Sequence, residues 1–250
     1  GSRRRLPPGK SKGVEPVFRT VSRFLLLLAA LFALLLPAGC GAPPNTPEGA
    51  ATAALGFLNA RMEGDARAAY AQLTARAQRL IPLEKVSRLL AETEISYENV
   101  GQPWQVDTGV VRVPVRNVVI KEPGRIIHWP EIWLTLRWED ERWRVAWAEP
   151  LFADAALAYF NSRYSEGLEL AESIIAIDPY HYRGYLEQHF LYRSLKQHRE
   201  ADAAMGSALH YATPVELPAV LDARARFKLD LNAPAEALEH AREALERARP

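Results

Sequence analysis

The chain has one cysteine, Cys40, among its 250 residues. A lone thiol excludes an intramolecular disulfide framework and any cysteine-based zinc or iron–sulfur site. The six histidines are scattered, with no H-E-x-x-H or comparable spacing, so no metal or cofactor is expected. Long apolar runs are scarce as well. Phe24 to Leu36 is an unbroken run of 13 residues. As a helix it spans about 20 Å, short of the roughly 30 Å hydrocarbon core of a bilayer. A polytopic membrane protein is excluded on composition. Charge of one sign is also lacking: 31 Lys and Arg face 30 Asp and Glu, a formal +1. That balance is uneven along the chain. Residues 1–39 hold seven bases and one acid, Glu15, which leaves 24 bases against 29 acids in the remainder. A mildly acidic body is a poor electrostatic partner for nucleic acid. What is present, 48% hydrophobic and 24% charged residues, suffices for the core of one or two domains.

The N-terminus reads as an address. Arg3, Arg4, Arg5, Lys10, Lys12, Arg19 and Arg23 precede the apolar run, and small residues follow it. Basic flank, short apolar core and small-residue boundary describe an export signal. Leu36-Pro37-Ala38-Gly39-Cys40 resembles the lipobox of bacterial lipoproteins. The resemblance implies that 1–40 is a signal peptide with its lipobox and that Cys40 is diacylated at the membrane. Two chains make such attachment stable, where one would be marginal. The protein is then extracytoplasmic and lipid-anchored, with the outer membrane favoured in a two-membrane host because Gly41, not Asp, follows the cysteine. The other reading is an uncleaved signal anchor with an incidental cysteine. Residues 41–46, rich in proline, form a short stiff tether.

Residues 47–150 predict an α+β domain. Thr46-Pro47 reads as an N-cap with proline at the first helical position. Ala51, Ala54, Leu55, Leu58 and Met62 follow at helical spacing, and Gly64-Asp65 ends that helix. Two shorter helices are expected over 66–73 and 83–90, then strands near 95–101, 107–120, 126–138 and 141–148. Glu139-Asp140-Glu141 predicts a tight hairpin. Pro114 implies an edge or a bulge, since proline cannot donate to the ladder. Trp143, Val145 and Trp147 share one face, expected buried; Arg142 and Arg144 share the other, expected in water.

Phe57-Leu58-Asn59-Ala60 with Gly64-Asp65, and Trp143-Arg144-Val145-Ala146-Trp147 before Pro150-Leu151-Phe152, resemble the nuclear-transport-factor-2-like cone. In particular they resemble the N-terminal domain of some penicillin-binding proteins. The fold so implied packs helices on a curved antiparallel sheet. Some relatives bind or isomerise small apolar molecules in the cone, which would make Asp65 or Asp107 the acids and Tyr70 or Tyr97 the donors. Asp65 also suits a helix start, and Asp107-Thr108-Gly109 a turn. No Ser-x-x-Lys occurs, so transpeptidase and β-lactamase chemistry is excluded.

Residues 151–250 predict helix alone, with an internal repeat. Gly167, Ala201 and Ala237 stand 34 and 36 residues apart, and Ile174, Ala208 and Ala244 repeat those steps. With Tyr164, Asp178 and Pro179 this pattern resembles the tetratricopeptide repeat, about three copies, with first helices near 151–161, 182–195 and 216–230. His189 stands where that family usually has glycine. Tyr185 and Tyr192 are expected inside. Arg183, Leu186, Phe190 and Arg193 fall on positions that in this family line a partner groove, where arginine can fork onto a carboxylate. The alternative for this stripe is a solvated face with intrahelical pairs. The expected function is a non-enzymatic interaction or scaffold protein of the cell envelope, docking another envelope protein or peptide through that groove. The alternative is a small-ligand-binding lipoprotein that uses a cone cavity, which would need several hundred Å³ with convergent polar groups.

Overall fold

The computed structural model describes residues 45–247. The signal segment and the predicted lipidation site Cys40 lie outside the described residues. The chain runs α1 (Pro47–Met62), α2 (Ala66–Ala71), α3 (Ala75–Leu80) and α4 (Leu83–Glu92), then six strands. These are β1 (Glu94–Ser96), β2 (Asn99–Val100), β3 (Trp104–Asp107), β4 (Val110–Glu122), β5 (Arg125–Glu139) and β6 (Arg142–Val145). Six helices complete it: α5 (Glu149–Phe160), α6 (Tyr164–Ile177), α7 (Tyr182–Ser194), α8 (His198–Tyr211), α9 (Leu217–Asp230) and α10 (Pro234–Arg247). The result is an α+β unit with a curled antiparallel sheet, followed by helices. Among the described residues no helix is long and apolar enough to cross a membrane.

Thr46 caps α1 by accepting a hydrogen bond from the Gly49 amide at 3.2 Å. From there Ala50, Ala54, Phe57 and Leu58 turn one fully buried stripe towards the sheet. Asp65 caps α2, its carboxylate accepting from the Ala68 amide at 2.9 Å. The sheet order is β1-β4-β5-β6, with β2 and β3 also on β4. Pro114 sits opposite the break between β2 and β3. The Gly101 amide donates to the Pro114 carbonyl at 2.8 Å. In an antiparallel strand a residue's nitrogen and oxygen face the same neighbour. The missing N–H therefore points at the interrupted edge, where no ladder bond is lost. The β5–β6 hairpin turns on Asp140 and Glu141, with φ of 49° and 61°, the two positive values that a type I′ turn requires.

Trp143, Val145 and Trp147 are buried as the alternation predicts, and Arg142 is exposed. Arg144 is not in water; it is buried. The segment after α2 closes over this end of β6: the Thr74 amide donates to the Val145 carbonyl at 3.0 Å, and the Val145 amide to the Gln72 carbonyl at 2.8 Å. Arg144 Nη1 then donates to the carbonyls of Ala71 and Leu73, at 2.9 and 3.2 Å. The Ala71 carbonyl is one that the end of α2 leaves without a helical partner, and the Leu73 carbonyl lies in the connection to α3. Alternation along a strand shows two faces but not what covers the second.

The last six helices form three pairs joined by one recurrent turn. Ser162, Lys196 and Asn232 have φ of 57°, 64° and 56°. After each, the next amide reaches back five residues: Arg163 to Ala158, Gln197 to Tyr192 and Ala233 to Lys228, at 2.8 to 2.9 Å. This is the Schellman closure, repeated at the 34- and 36-residue steps of the small residues. Gly167, Ala201 and Ala237 are buried in the helix that follows each turn. His189 is fully buried; its Nδ1 donates to the Ala201 carbonyl at 2.9 Å and its ring stands edge-on to Phe227 at 4.7 Å. The imidazole thus fills a space between α7, α8 and α9. Tyr185 and Tyr192 are half-buried rather than interior; the buried positions of α7 are Tyr182, Gly184, His189 and Leu191. Sheet and helices share one apolar cluster, in which Leu151, Phe152, Ile174 and Ile177 join Phe57, Leu136 and Trp147.

A candidate binding pocket at the junction of sheet and helices

The predicted stripe lies along α7, and all four of its side chains are half-buried. Arg183 is 4.3 Å from the Phe152 ring centre and 3.8 Å from Glu149. Leu186 packs against the cluster of Tyr182, Met205, Ala208 and Val220. Phe190 lies against His189. Arg193 pairs with Asp230 at the end of α9. Each arginine therefore holds a carboxylate of its own chain. The polar residues considered for a catalytic cone are engaged elsewhere. Asp65 caps α2 and Tyr70 donates to the Gln78 carbonyl at 2.8 Å. Asp107 accepts from the Thr108 amide at 2.7 Å, and Tyr97 packs against the core. Among the described residues no group of three His, Cys, Asp or Glu side chains is placed to hold a metal.

The polar convergence is found where the sheet meets the helices. A cavity of about 70 Å³ is lined there by residues of α1, β4, β5, the segment after β6, the start of α5, the α6–α7 connection, the start of α7 and the α8–α9 connection. Three arginines reach it, each against an aromatic ring. Arg61 lies 4.8 Å from Trp147, Arg112 lies 5.2 Å from Trp133, and Arg183 lies over Phe152. A guanidinium over an indole face is favourable, more so when desolvated. Arg61 occupies the apolar stripe of α1, four residues after Phe57 and seven after Ala54. A charge on that stripe was a readable signal that the sequence expectations passed over. Arg112 stands on the face of β4 opposite Val111 and Val113. Nothing in its alternation marks it, because the Tyr211 carbonyl that accepts from Arg112 at 3.5 Å lies 99 residues away.

Burial governs the electrostatics. It pushes Arg61 down to about 10, with Glu149 opposing, so the guanidinium stays charged at neutral pH. It pushes Arg112 down too, against the charges of Asp178 and Glu216. Asp178 is pushed up to about 6 by burial, with the Arg112 charge pulling it back. His181 is pushed down to about 3 by burial, helped by the charges of Arg183 and Arg112. It stays neutral, and its Nδ1 accepts from the Arg183 amide at 3.3 Å. The pocket offers charged donors and flat apolar walls, the furnishing of a binding site. It is too small to enclose a whole ligand, and the rest of the cone interior is filled by Phe57, Leu58, Leu136 and Trp147. Neither a protein-family model nor a curated protein matches this chain.

Proposed function

We propose that this chain is a lipid-anchored, extracytoplasmic, non-enzymatic binding module of the cell envelope. In this reading Cys40 holds it to the membrane, a nuclear-transport-factor-2-like cone forms its base, and degenerate tetratricopeptide repeats dock another envelope protein or peptide. The observation that carries the reading is the recurrence of one turn and one small buried residue at 162 and 167, 196 and 201, 232 and 237. Stacked helix pairs of this kind gain their core from neighbouring pairs and offer extended binding surfaces. The filled cone supports docking over enclosure of a ligand. The stripe Arg183, Leu186, Phe190 and Arg193 is the docking face. Its half-exposed ion pairs to Glu149 and Asp230 hold their partners weakly, so a carboxylate of the docked protein can replace them.

The test has two arms on the full chain. Cys40→Ser should shift the protein out of the detergent phase or trap its precursor; unchanged processing and partition would remove the anchor. Arg183→Ala with Arg193→Ala should abolish recovery of the partner from solubilised envelope while the double variant still melts cooperatively. Full recovery by the double variant would move docking away from α7.

A further inference from the structure

We infer that the junction pocket is a binding site for a carboxylate head group, held by the guanidinium of Arg61 with Arg112 beside it and with indole walls for the attached carbon. The inference does not depend on partner docking along α7.

Arg61 carries it. The side chain is 5% exposed and lines the cavity. Its Nε has no hydrogen-bond partner. Among the described residues no carboxylate lies within ion-pair distance of it. A charge taken from water without a partner is costly. Arg112 Nε is buried and unpartnered as well. Two under-satisfied guanidiniums at one cavity describe a site that an anion completes.

The acids that line the same cavity are committed. Glu131 accepts from Trp133 Nε1 at 2.9 Å, and Asp178 from the Tyr180 amide at 3.1 Å. Glu216 accepts from the amide and hydroxyl of Thr213, at 2.9 and 2.8 Å. Glu149 faces Arg183. They leave Arg61 its donors and set the charge of the guest. Four carboxylates and three arginines line the cavity, so a dianion is repelled more strongly than a single negative charge, which favours a carboxylate over a phosphate. The planar fork of arginine matches a carboxylate bidentately. A volume of about 70 Å³ holds the head group, and Trp129 at 37% exposure can cover what protrudes. A free aromatic or aliphatic acid and the C-terminus of a peptide share this chemistry.

The experiment uses the full chain in detergent, followed by tryptophan fluorescence and thermal melting. Phenylacetate is titrated against phenylacetamide, and a tripeptide with a free C-terminus against its amidated form. The acid should bind at least about tenfold more tightly than the amide, and the tripeptide pair should show which source fits better. Arg61→Met keeps the volume and removes the charge. It should abolish the preference for the acid and leave the melting temperature unchanged or raised, because an unpartnered buried charge is gone. Arg61→Lys keeps a charge without the fork and should bind the acid more weakly than wild type. If Arg61→Met does not fold, the acid-over-amide preference of the wild type and its reduction in Arg61→Lys decide. Equal binding of acid and amide, no response of the wild type to either acid, or an acid preference kept in Arg61→Met each overturns the assignment.

Discussion

Gly167 of α6 lies so close to Leu191 of α7 that a Cβ on the glycine would stand 2.5 Å from Leu191 Cδ2. Leu191 is fully buried and has no room to withdraw. Helix propensity favours alanine over glycine by about 1 kcal/mol, but overpacking a filled contact costs about 1–3 kcal/mol. Gly167→Ala should therefore lower stability by denaturant unfolding. Gly206 in α8 is the matched control, since nothing lies within 4 Å of its added Cβ. Gly206→Ala should stabilise by up to about 1 kcal/mol. Equal effects at the two positions would contradict this account of how α6 and α7 approach.

Arg144 and Arg142 stand two residues apart on one strand face and should respond very differently. Removing Arg144 strips the Ala71 and Leu73 carbonyls of their donor, and buried unsatisfied groups cost about 1–3 kcal/mol. Arg142→Ala, at an exposed position, should stay within about 0.5 kcal/mol. Parallel urea titrations of the two variants give the comparison.

The difference between those arginines also shows what could be read from sequence and what could not. Helix pairs follow from local signals. The small residues at 167, 201 and 237 and the caps at Thr46 and Asp65 act within a few residues, so those elements fall where the spacing predicts. The buried face of Trp143, Val145 and Trp147 is equally local. Arg144, Arg112 and Asp178 are buried by segments that return from elsewhere in the chain. Arg112 meets Tyr211 across 99 residues, and no periodicity within β4 encodes that meeting. The junction pocket is composed almost wholly of such contacts. Arg61 is the exception, a charge on an apolar helical stripe.

Acid should weaken the junction through His181. Its ordinary value of 6.5 falls to about 3 in the folded chain because burial disfavours the imidazolium. Between those values the unfolded chain binds a proton that the folded chain refuses. This contribution to stability is thus lost as pH falls from 6.5 towards 3. Asp178 works in the opposite sense. Raised from 3.8 to about 6, it takes up its proton more readily when folded, so its contribution is lost as pH rises through that window. His181→Asn isolates the histidine. Asparagine retains an acceptor for the Arg183 amide at the N-cap of α7 and does not titrate. The variant's melting temperature should fall less than the wild type's between pH 7 and pH 4. Identical pH profiles would show that His181 protonates freely in the folded state.

Trp147 ties the core to the pocket, so one substitution reads both. The indole is 5% exposed, stands edge-on to Phe57 at 5.3 Å and supports Arg61 at 4.8 Å. Trp147→Ala should destabilise by about 3–5 kcal/mol through lost transfer and a residual cavity. A loss below about 1 kcal/mol would mean that the ring contributes no core. Part of the cost comes from Arg61, whose guanidinium would lose the indole face while staying buried. A double-mutant cycle of Trp147→Ala with Arg61→Met measures that share. A desolvated cation–π pair should couple by about 2 kcal/mol. Coupling near zero would leave Arg61 held by geometry alone, with no energetic help from the ring beneath it.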